Sequence, residues 1–511
     1  MDRIVLIMVL ALGSATFGLM IAAGNAQAQT ATNARIEAIE RQMQLLQQEL
    51  QQLKGELGNA GAQLEQSRAD ARQAREEARR AEEQAKAVAA KQPALTFPRG
   101  RPTLSTPDGK ASLAVGAQVQ FDAGGYLQDR PAAADTRLPV GARDLSDGEN
   151  LRRARVFFVG RFGDWTLNFA PDFGGSPDGN PTLYEANLNF SGIKPLTFTF
   201  GLFKPWLTLG DSMSSSDFLF MERPSMVEIA KNLAGGDARA SLGLRAATDD
   251  FFAAGYLTGG TYGDQTAALL NDEQKGATGR IAARALRGED WNLHVGASAS
   301  TVFHFAQNAA AAGPRQSVQL RDRPELRIDS NRLIDTGVIS ADGAITYGLE
   351  VALNWRNFLL QGEYIHIDVD QRPTVTATAP ELGFSGGYVE ASWVMTGEAR
   401  PYSAGSAAFG RPKPANPFSL SSGLGAWELA FRYSVADLDA QVIRGVPQAN
   451  TAGVFGGRQE IFGVALSWYP IEQLRFMLNY NYVDVDRLAA NGVTPVGQHV
   501  HAIAGRAQVA F

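Results

Sequence analysis

The stretch LRRARVFFVGRF, residues 151–162, separates by parity: Val156, Phe158, Gly160 and Phe162 fall on one side, and Arg153, Arg155, Phe157, Val159 and Arg161 on the other. A period of two is the pleat of a β-strand, whose faces alternate along the chain. One face here is apolar and the other strongly cationic, so the two sides of the strand meet different media.

The division recurs downstream. Tyr184, Ala186, Leu188 and Phe190 oppose Glu185, Asn187 and Asn189; Leu349, Val351, Leu353 and Trp355 oppose Glu350, Asn354 and Arg356. Trp427, Leu429, Phe431 and Tyr433 oppose Glu428 and Arg432; Leu474, Phe476, Leu478, Tyr480 and Tyr482 oppose Arg475, Asn479 and Asn481. Turns rich in Gly, Pro, Asn and Asp separate these segments, and aromatics gather at strand ends as an interfacial girdle requires. The pattern predicts strands with lipid outside and water inside. A soluble β-sandwich also alternates, but its apolar face is a core with no use for aromatic strand ends.

The segment Arg506-Ala507-Gln508-Val509-Ala510-Phe511 is another alternating strand with a terminal aromatic, and resembles the closing strand of bacterial outer-membrane proteins. Pairing it with the first strand would leave the sheet no free edge. About 400 residues after position 110, at roughly 25 per spanning strand with its share of loop, predict an all-β transmembrane barrel of about 16 antiparallel strands. A barrel of that width encloses an aqueous channel.

Upstream of the barrel the chain changes character. Pro93, Pro98, Pro102 and Pro107 predict a stiff, extended connection over residues 93–109. Before it, apolar or small residues recur at spacings of three and four from Ile36 through Met43, Leu50, Leu57, Leu64, Ala71 and Ala78 to Val88, a heptad seam over residues 29–92. Gly55, Gly58 and Gly61 loosen its middle and the Ala-rich second half buries little, so the helix needs a partner or frays. The alternative is a single solvated helix. Residues 1–28 read as a signal peptide: Arg3, an apolar run over 4–23, then Ala26-Gln27-Ala28 at the spacing a signal peptidase reads. An uncleaved anchor is the competing reading.

Composition removes several classes. A formal net charge of -6 leaves no dominant basic surface for nucleic acid. Cysteine is absent, so thiolate metal sites, disulfides and a cysteine nucleophile are excluded. His294, His304, His366, His499 and His501 form no metal motif, with His499 and His501 expected to flank the final strand. Gly383-Phe384-Ser385-Gly386-Gly387 matches a hydrolase pattern that needs a strand-to-helix elbow; here it leads into a strand and is expected to be a turn. No catalytic residue, metal or cofactor is assigned. An outer-membrane hydrolase acting through Ser385 is the enzymatic alternative.

Four segments carry a family likeness: Leu151-Arg152-Arg153-Ala154-Arg155, Gly201-Leu202-Phe203-Lys204-Pro205, Phe220-Met221-Glu222-Arg223-Pro224 and Gly397-Glu398-Ala399-Arg400 resemble the phosphate-selective porin O and P family. The resemblance covers the chain after residue 110, and the helical prefix is similar to that of several members. It implies a 16-stranded homotrimer in outer-membrane lipid, with a third extracellular loop folded into the lumen and basic residues passing phosphate or other small inorganic anions, polyphosphate among them, by passive diffusion. That loop should begin after Lys204-Pro205 and set Ser214, Ser215, Ser216, Asp217 and Glu222 at the constriction. A general, non-selective porin whose stalk tethers it to peptidoglycan or another periplasmic partner is the alternative.

An anion in a narrow channel sheds water and must be compensated by fixed positive charge, and a guanidinium matches two phosphate oxygens at once. Parity puts Arg153, Arg155, Arg161, Arg280, Arg284, Arg356, Arg432, Arg475 and Arg506 on the wet face, with Lys204, Arg223 and Arg239 near the loop. Each is either a solute contact or half of a structural ion pair, because Glu185, Glu350, Glu363, Glu390 and Glu428 share that face.

Overall fold

A computed structural model describes residues 27–89, 92–128, 145–175, 181–236, 238–261, 273–307, 316–372 and 379–511. Of the leader read over residues 1–28, residues 1–26 lie outside the described residues. The chain divides into two compact units, Met1–Lys91 and Gln92–Phe511.

The first unit is one helix, α1 (Gln27–Ala89), about 95 Å long at 1.5 Å per residue. It runs unbroken through Gly55, Gly58 and Gly61. Ile36, Ile39, Met43, Leu46, Leu50 and Leu53 are all exposed along the helix, so the heptad seam is unburied among the described residues. Short-range pairs such as Arg41 with Glu37 and Arg79 with Glu83 lie on its surface and add only a few tenths of a kcal/mol each.

The second unit begins earlier than expected. Residues Ala94–Thr96 and Thr103–Ser105 pair as a hairpin, and Thr103–Ser105 pairs onward with residues 112–114. The stretch read as an extended connection is therefore part of the sheet. Pro98 and Pro102 sit outside the paired residues, where a missing N–H costs no ladder bond.

The barrel strands are β1 (Ala111–Gln128), β2 (Gly148–Phe162), β3 (Trp165–Asp172), β4 (Thr182–Phe190), β5 (Leu196–Phe203), β6 (Arg239–Ala247), β7 (Phe251–Thr261) and β8 (Lys275–Arg287). They continue as β9 (Trp291–His304), β10 (Ile339–Trp355), β11 (Phe358–Gln371), β12 (Leu382–Val394), β13 (Ala426–Ala440), β14 (Val454–Tyr469), β15 (Leu474–Asp486) and β16 (Gln498–Ala510). Each pairs antiparallel with the next, and β16 returns to β1 with Val500 opposite Gln128 and Ala510 opposite Gln118. The sixteen strands close. Long loops join them at one end and short turns at the other, except for the segment 395–425 between β12 and β13.

Leu349, Leu360, Phe431 and Leu478 face outward and are exposed, as lipid contact requires. At the turn end Trp355, Phe358 and Trp393 stack 6.0–6.1 Å apart, and Trp427, Trp468 and Phe476 stack at 5.6 Å, forming an aromatic belt. Toward the loop end the sense of alternation inverts. Ile365, Ile367 and Val369 of β11 point inward and are buried, while His366 and Asp368 point out, joined at 2.8 Å. His499 and His501 likewise face outward within β16 rather than flanking it.

The inverted residues find their apolar partners in loops. Residues 204–236 carry α2 (Leu209–Ser212) and α3 (Ser225–Lys231) inside the barrel, and residues 316–338 pack on them. Met226, Val227 and Ile229 of α3 join Leu320, Leu326 and Ile334 against Ile365, Ile461, Val483 and Val500 of the wall. Part of the lumen is thus a packed core, and the passage runs beside it.

Candidate functional site

The loop segment 217–222 has no ladder partner, so its carbonyls must find donors. The wall supplies them. Arg475 donates to the Phe218 carbonyl at 2.7 Å, Arg506 to that of Met221 at 2.6 Å, Arg432 to that of Glu222 at 3.0 Å and Arg400 to that of Asp217 at 2.8 Å. Each of these guanidiniums is buried. Arg506 also grips both Asp122 oxygens at 2.6 and 2.7 Å, Arg400 both Glu428 oxygens at 2.6 and 2.8 Å, and Arg432 bridges Glu390 and Glu325. Glu363 accepts from the Leu209 and Gly210 amides at 2.9 and 2.6 Å, which seats the start of α2.

A second segment enters from the turn end. Arg280, paired with Glu350 at 2.7 Å, donates to the carbonyls of Ser406 and Ala407 at 2.8 Å, and Tyr402 meets His294 at 3.1 Å. Arg400 touches this insert at the Gly410 carbonyl, the loop at Asp217 and the wall at Glu428, fastening all three together. The insert begins at Gly397-Glu398-Ala399-Arg400, and nothing in its sequence marks it as entering the lumen.

Among the described residues, four cavities follow one another through shared lining residues. The first, about 380 Å³ at the loop end, shares Glu228 and Arg327 with a second of about 270 Å³. The second shares Arg155, Tyr184, Lys204 and Ser215 with a third of about 620 Å³, and these four residues form a neck. The third shares Gln118, Phe157, Ser214 and Asp217 with a fourth of about 690 Å³ at the turn end.

The neck is built by two β-bulges. One, between Gln120 and Phe121 of β1, opposes them to Arg153 and Leu151, so that both Arg152 and Arg153 turn inward. The other, at Ala170 and Pro171, swings Tyr184 into the lumen, where its ring lies 3.7 Å from the Arg155 guanidinium. Simple parity had put Tyr184 on the lipid side and left Arg152 unplaced; a bulge shifts parity by one residue and explains both. Arg155 is oriented by Asp172 at 2.7 Å, itself held by the Ala154 and Gly174 amides at 3.0 Å. Lys204 donates to the Asp211 carbonyl and lies 3.5 Å from its carboxylate.

Of the residues expected at the solute, Arg153, Arg155, Arg161, Lys204 and Arg223 line this passage. Arg280, Arg432, Arg475 and Arg506 are the buried fasteners described above. Arg239 is buried and donates to the carbonyls of Gly235 and Asn232. Arg284 meets Asp250 at 3.2 Å near the turn end, and Arg356 lies in the turn between β10 and β11, paired with Asp290 at 3.0 Å on the surface. Ser214, Ser215 and Asp217 line the third cavity and Ser216 the fourth, whereas Glu222 is buried between Arg152 at 2.8 Å and Arg506 at 3.0 Å. Lys231 and Arg327, unremarked in the sequence, line the approach to the neck.

The family described as phosphate-selective porin O and P matches residues 127–511. The chain belongs to that family. This porin is 22% identical to Porin O of Pseudomonas aeruginosa over 410 residues, 76% of this chain and 88% of that one. It is 28% identical to an uncharacterized protein of Caulobacter vibrioides over 423 residues, 80% of this chain and 76% of that one. Among solved structures the porin is similar to trimeric OmpT of Vibrio cholerae at a TM-score of 0.45 and 12% identity, covering 78% of this chain and 99% of that one. It is similar to an anion-selective porin from Comamonas acidovorans at 0.45 and 11%, covering 78% and 100%.

The hydrolase pattern of the porin takes a form not foreseen. Gly383 to Gly387 lie within β12 rather than in a turn, with Ser385 facing outward opposite His366. His366 bonds Asp368, but no hydrogen bond joins it to Ser385, and a flat strand lacks the elbow that exposes such a nucleophile.

One buried acid near the mouth makes the approach sensitive to pH. Burial, then the nearby Glu228, push the Asp322 carboxyl up to about 7, against the pull of Arg327 and Arg323. The seated loop therefore favours protonated Asp322, and its stability is present below the ordinary carboxylate range and lost as pH rises through about 7. Open-channel noise is expected to grow as pH rises from about 4 to about 7 and to level off above that, and Asp322→Asn to flatten that dependence in single-channel recordings. A pH response identical in the variant would remove Asp322 from the account.

Proposed function

We propose that this outer-membrane porin conducts small anions, phosphate among them, through the neck at Arg155, Tyr184, Lys204 and Ser215. The observation that carries the reading is the charge balance of the passage just before the neck. Arg152, Arg153, Arg155, Lys204, Arg223, Lys231 and Arg327 line it, against Asp172 and Glu228. Counting Glu222 and Asp211, which lie behind the lining, still leaves cations in excess. Fixed positive charge in a narrow, low-dielectric opening favours anions and repels cations. The aromatic face of Tyr184 and the fixed Asp172 hold Arg155 in one orientation, so its remaining donors are pre-aimed at the passage.

Reversal potentials of the purified protein in asymmetric potassium chloride test the reading, followed by competition with phosphate. A chloride preference that phosphate suppresses at low concentration is the expected result. A potential at the cation side of zero would overturn it.

We further read the chain as exported with cleavage near Ala28, and assembled as a homotrimer whose α1 helices pair along the heptad seam in the periplasm. The exposed row from Ile36 to Leu53 supports that pairing, since a coiled coil buries such a seam. Deleting residues 31–92 is expected to leave conductance per channel within about twofold while lowering resistance of the trimer to heat dissociation. If the stalk also tethers the porin to peptidoglycan, sedimentation with cell walls is lost in the same variant.

A further inference from the structure

The cavity beyond the neck is furnished differently from the approach to it. On β2 the inward side chains run Arg155, Phe157, Val159, Arg161, so an apolar stretch separates two guanidiniums that stand about 20 Å apart along the strand. Phe157 lines both the third and the fourth cavity. Across the third cavity Trp206 presents an indole that is only partly buried, packed against Phe252 at 5.6 Å with Arg245 over its ring at 4.7 Å. A path serving inorganic ions alone gains nothing from such rings, which interrupt the sequence of charges.

Apart from Glu185, which adjoins Arg155 and Lys204 at the neck, the wall between these rings is polar and uncharged. Thr166 and Asn168 of β3, Asn187 and Asn189 of β4, and Thr197 and Thr199 of β5 form a contiguous patch. Asn168 and Asn189 donate to the Asn187 carbonyl oxygen at 3.0 and 2.8 Å, and Thr199 donates to Asn189 at 2.6 Å. The network fixes the amides while leaving the Asn168 carbonyl oxygen and the Thr166 hydroxyl uncommitted among the described residues. Amides and hydroxyls at fixed positions, facing aromatic rings, match a solute that carries hydroxyls on one side and C–H groups on the other.

Resting on the reading of the neck as an anion passage, we propose that the third cavity is a subsite for phosphorylated polyols such as sugar phosphates. The phosphate engages Arg155 and Lys204, the hydroxyls engage the Asn and Thr patch, and the ring lies against Phe157 and Trp206. At about 620 Å³ the cavity is of the size that holds a small organic ligand.

The test measures block of chloride current through the full-length protein in planar bilayers by glucose 6-phosphate, inorganic phosphate, benzoate and glucose. Glucose 6-phosphate is expected to block at a concentration at least about fivefold below inorganic phosphate, the scale of one aromatic contact. Phe157→Ala and Asn168→Ala should each bring that ratio toward one, whereas Phe158→Ala, one residue along on the lipid side, should leave it intact. Equal block by glucose 6-phosphate and inorganic phosphate in the native channel would overturn the proposal. So would benzoate matching glucose 6-phosphate, because hydroxyl recognition would then be absent. The reversal potential separates the two readings: a channel that lacks anion preference but still favours glucose 6-phosphate sinks the neck assignment and keeps the subsite.

Discussion

Arg155→Glu sharply lowers the anion preference of the channel. The expectation follows from the position of Arg155 at the junction of two cavities, where each solute must pass it. Exchanging the residue alters the local charge by two units. Even in a fully water-like medium a unit charge about 4 Å away is worth about 1 kcal/mol, so the exchange raises the cost of an anion by about 2 kcal/mol and lowers that of a cation by as much. That is roughly a 30-fold change for each ion before screening. Salt at 0.15 M, with a Debye length of about 8 Å, reduces the contribution of more distant charges but not that of a group on the wall of the neck.

The surroundings sharpen the expectation. Asp172 loses its guanidinium but keeps the Ala154 and Gly174 amides at 3.0 Å, so the bulge that forms the neck retains its own bonds. Tyr184 loses the cation over its ring and no hydrogen bond. The measurement is the reversal potential in asymmetric potassium chloride, with Arg155→Lys as the control that keeps the sign. An unchanged potential in Arg155→Glu would show that ions bypass the neck.

How far this arrangement was legible depends on what the neighbouring medium is. Strand parity is a local property, and in the lower half of each strand the medium is lipid outside and water inside, so Leu349, Phe431 and Leu478 were readable from the chain alone. Nearer the loops the medium changes on both sides. Ile365 and Ile367 face a packed loop core and His366 faces out, which a period of two cannot distinguish from its reverse. Bulges are one-residue events without a composition signal, so Tyr184 and Arg152 were beyond reach. The arginines on the wet face form one chemical class in the sequence. Arg155 and Arg506 differ only in what the folded loop places opposite them: a passage in one case, the Met221 carbonyl and Glu222 in the other.

That difference gives Arg506 the second large effect. Arg506→Ala is expected to release the constriction loop from the wall, raising single-channel conductance and making it noisy. The guanidinium has four acceptors: both Asp122 oxygens at 2.6 and 2.7 Å, the Met221 carbonyl at 2.6 Å and Glu222 at 3.0 Å. Glu222 retains Arg152 at 2.8 Å, but Asp122 is left buried without its cation. Removing one member of a buried pair costs about 3–5 kcal/mol, mostly the penalty of the charge left behind. The sixteen-strand ladder is independent of this pair, so the cost falls on the seat of the loop, and 3 kcal/mol shifts the balance of seated and unseated loop by about 100-fold. The double variant Asp122→Leu with Arg506→Met removes both charges and fills the same space, and is expected to restore a quiet channel, because an apolar pair of similar volume replaces a buried ion pair at little cost. If Arg506→Ala alone conducts as the native protein does, the remaining guanidiniums at Phe218 and Glu222 suffice to hold the loop, and the fastening is shared rather than centred on Arg506.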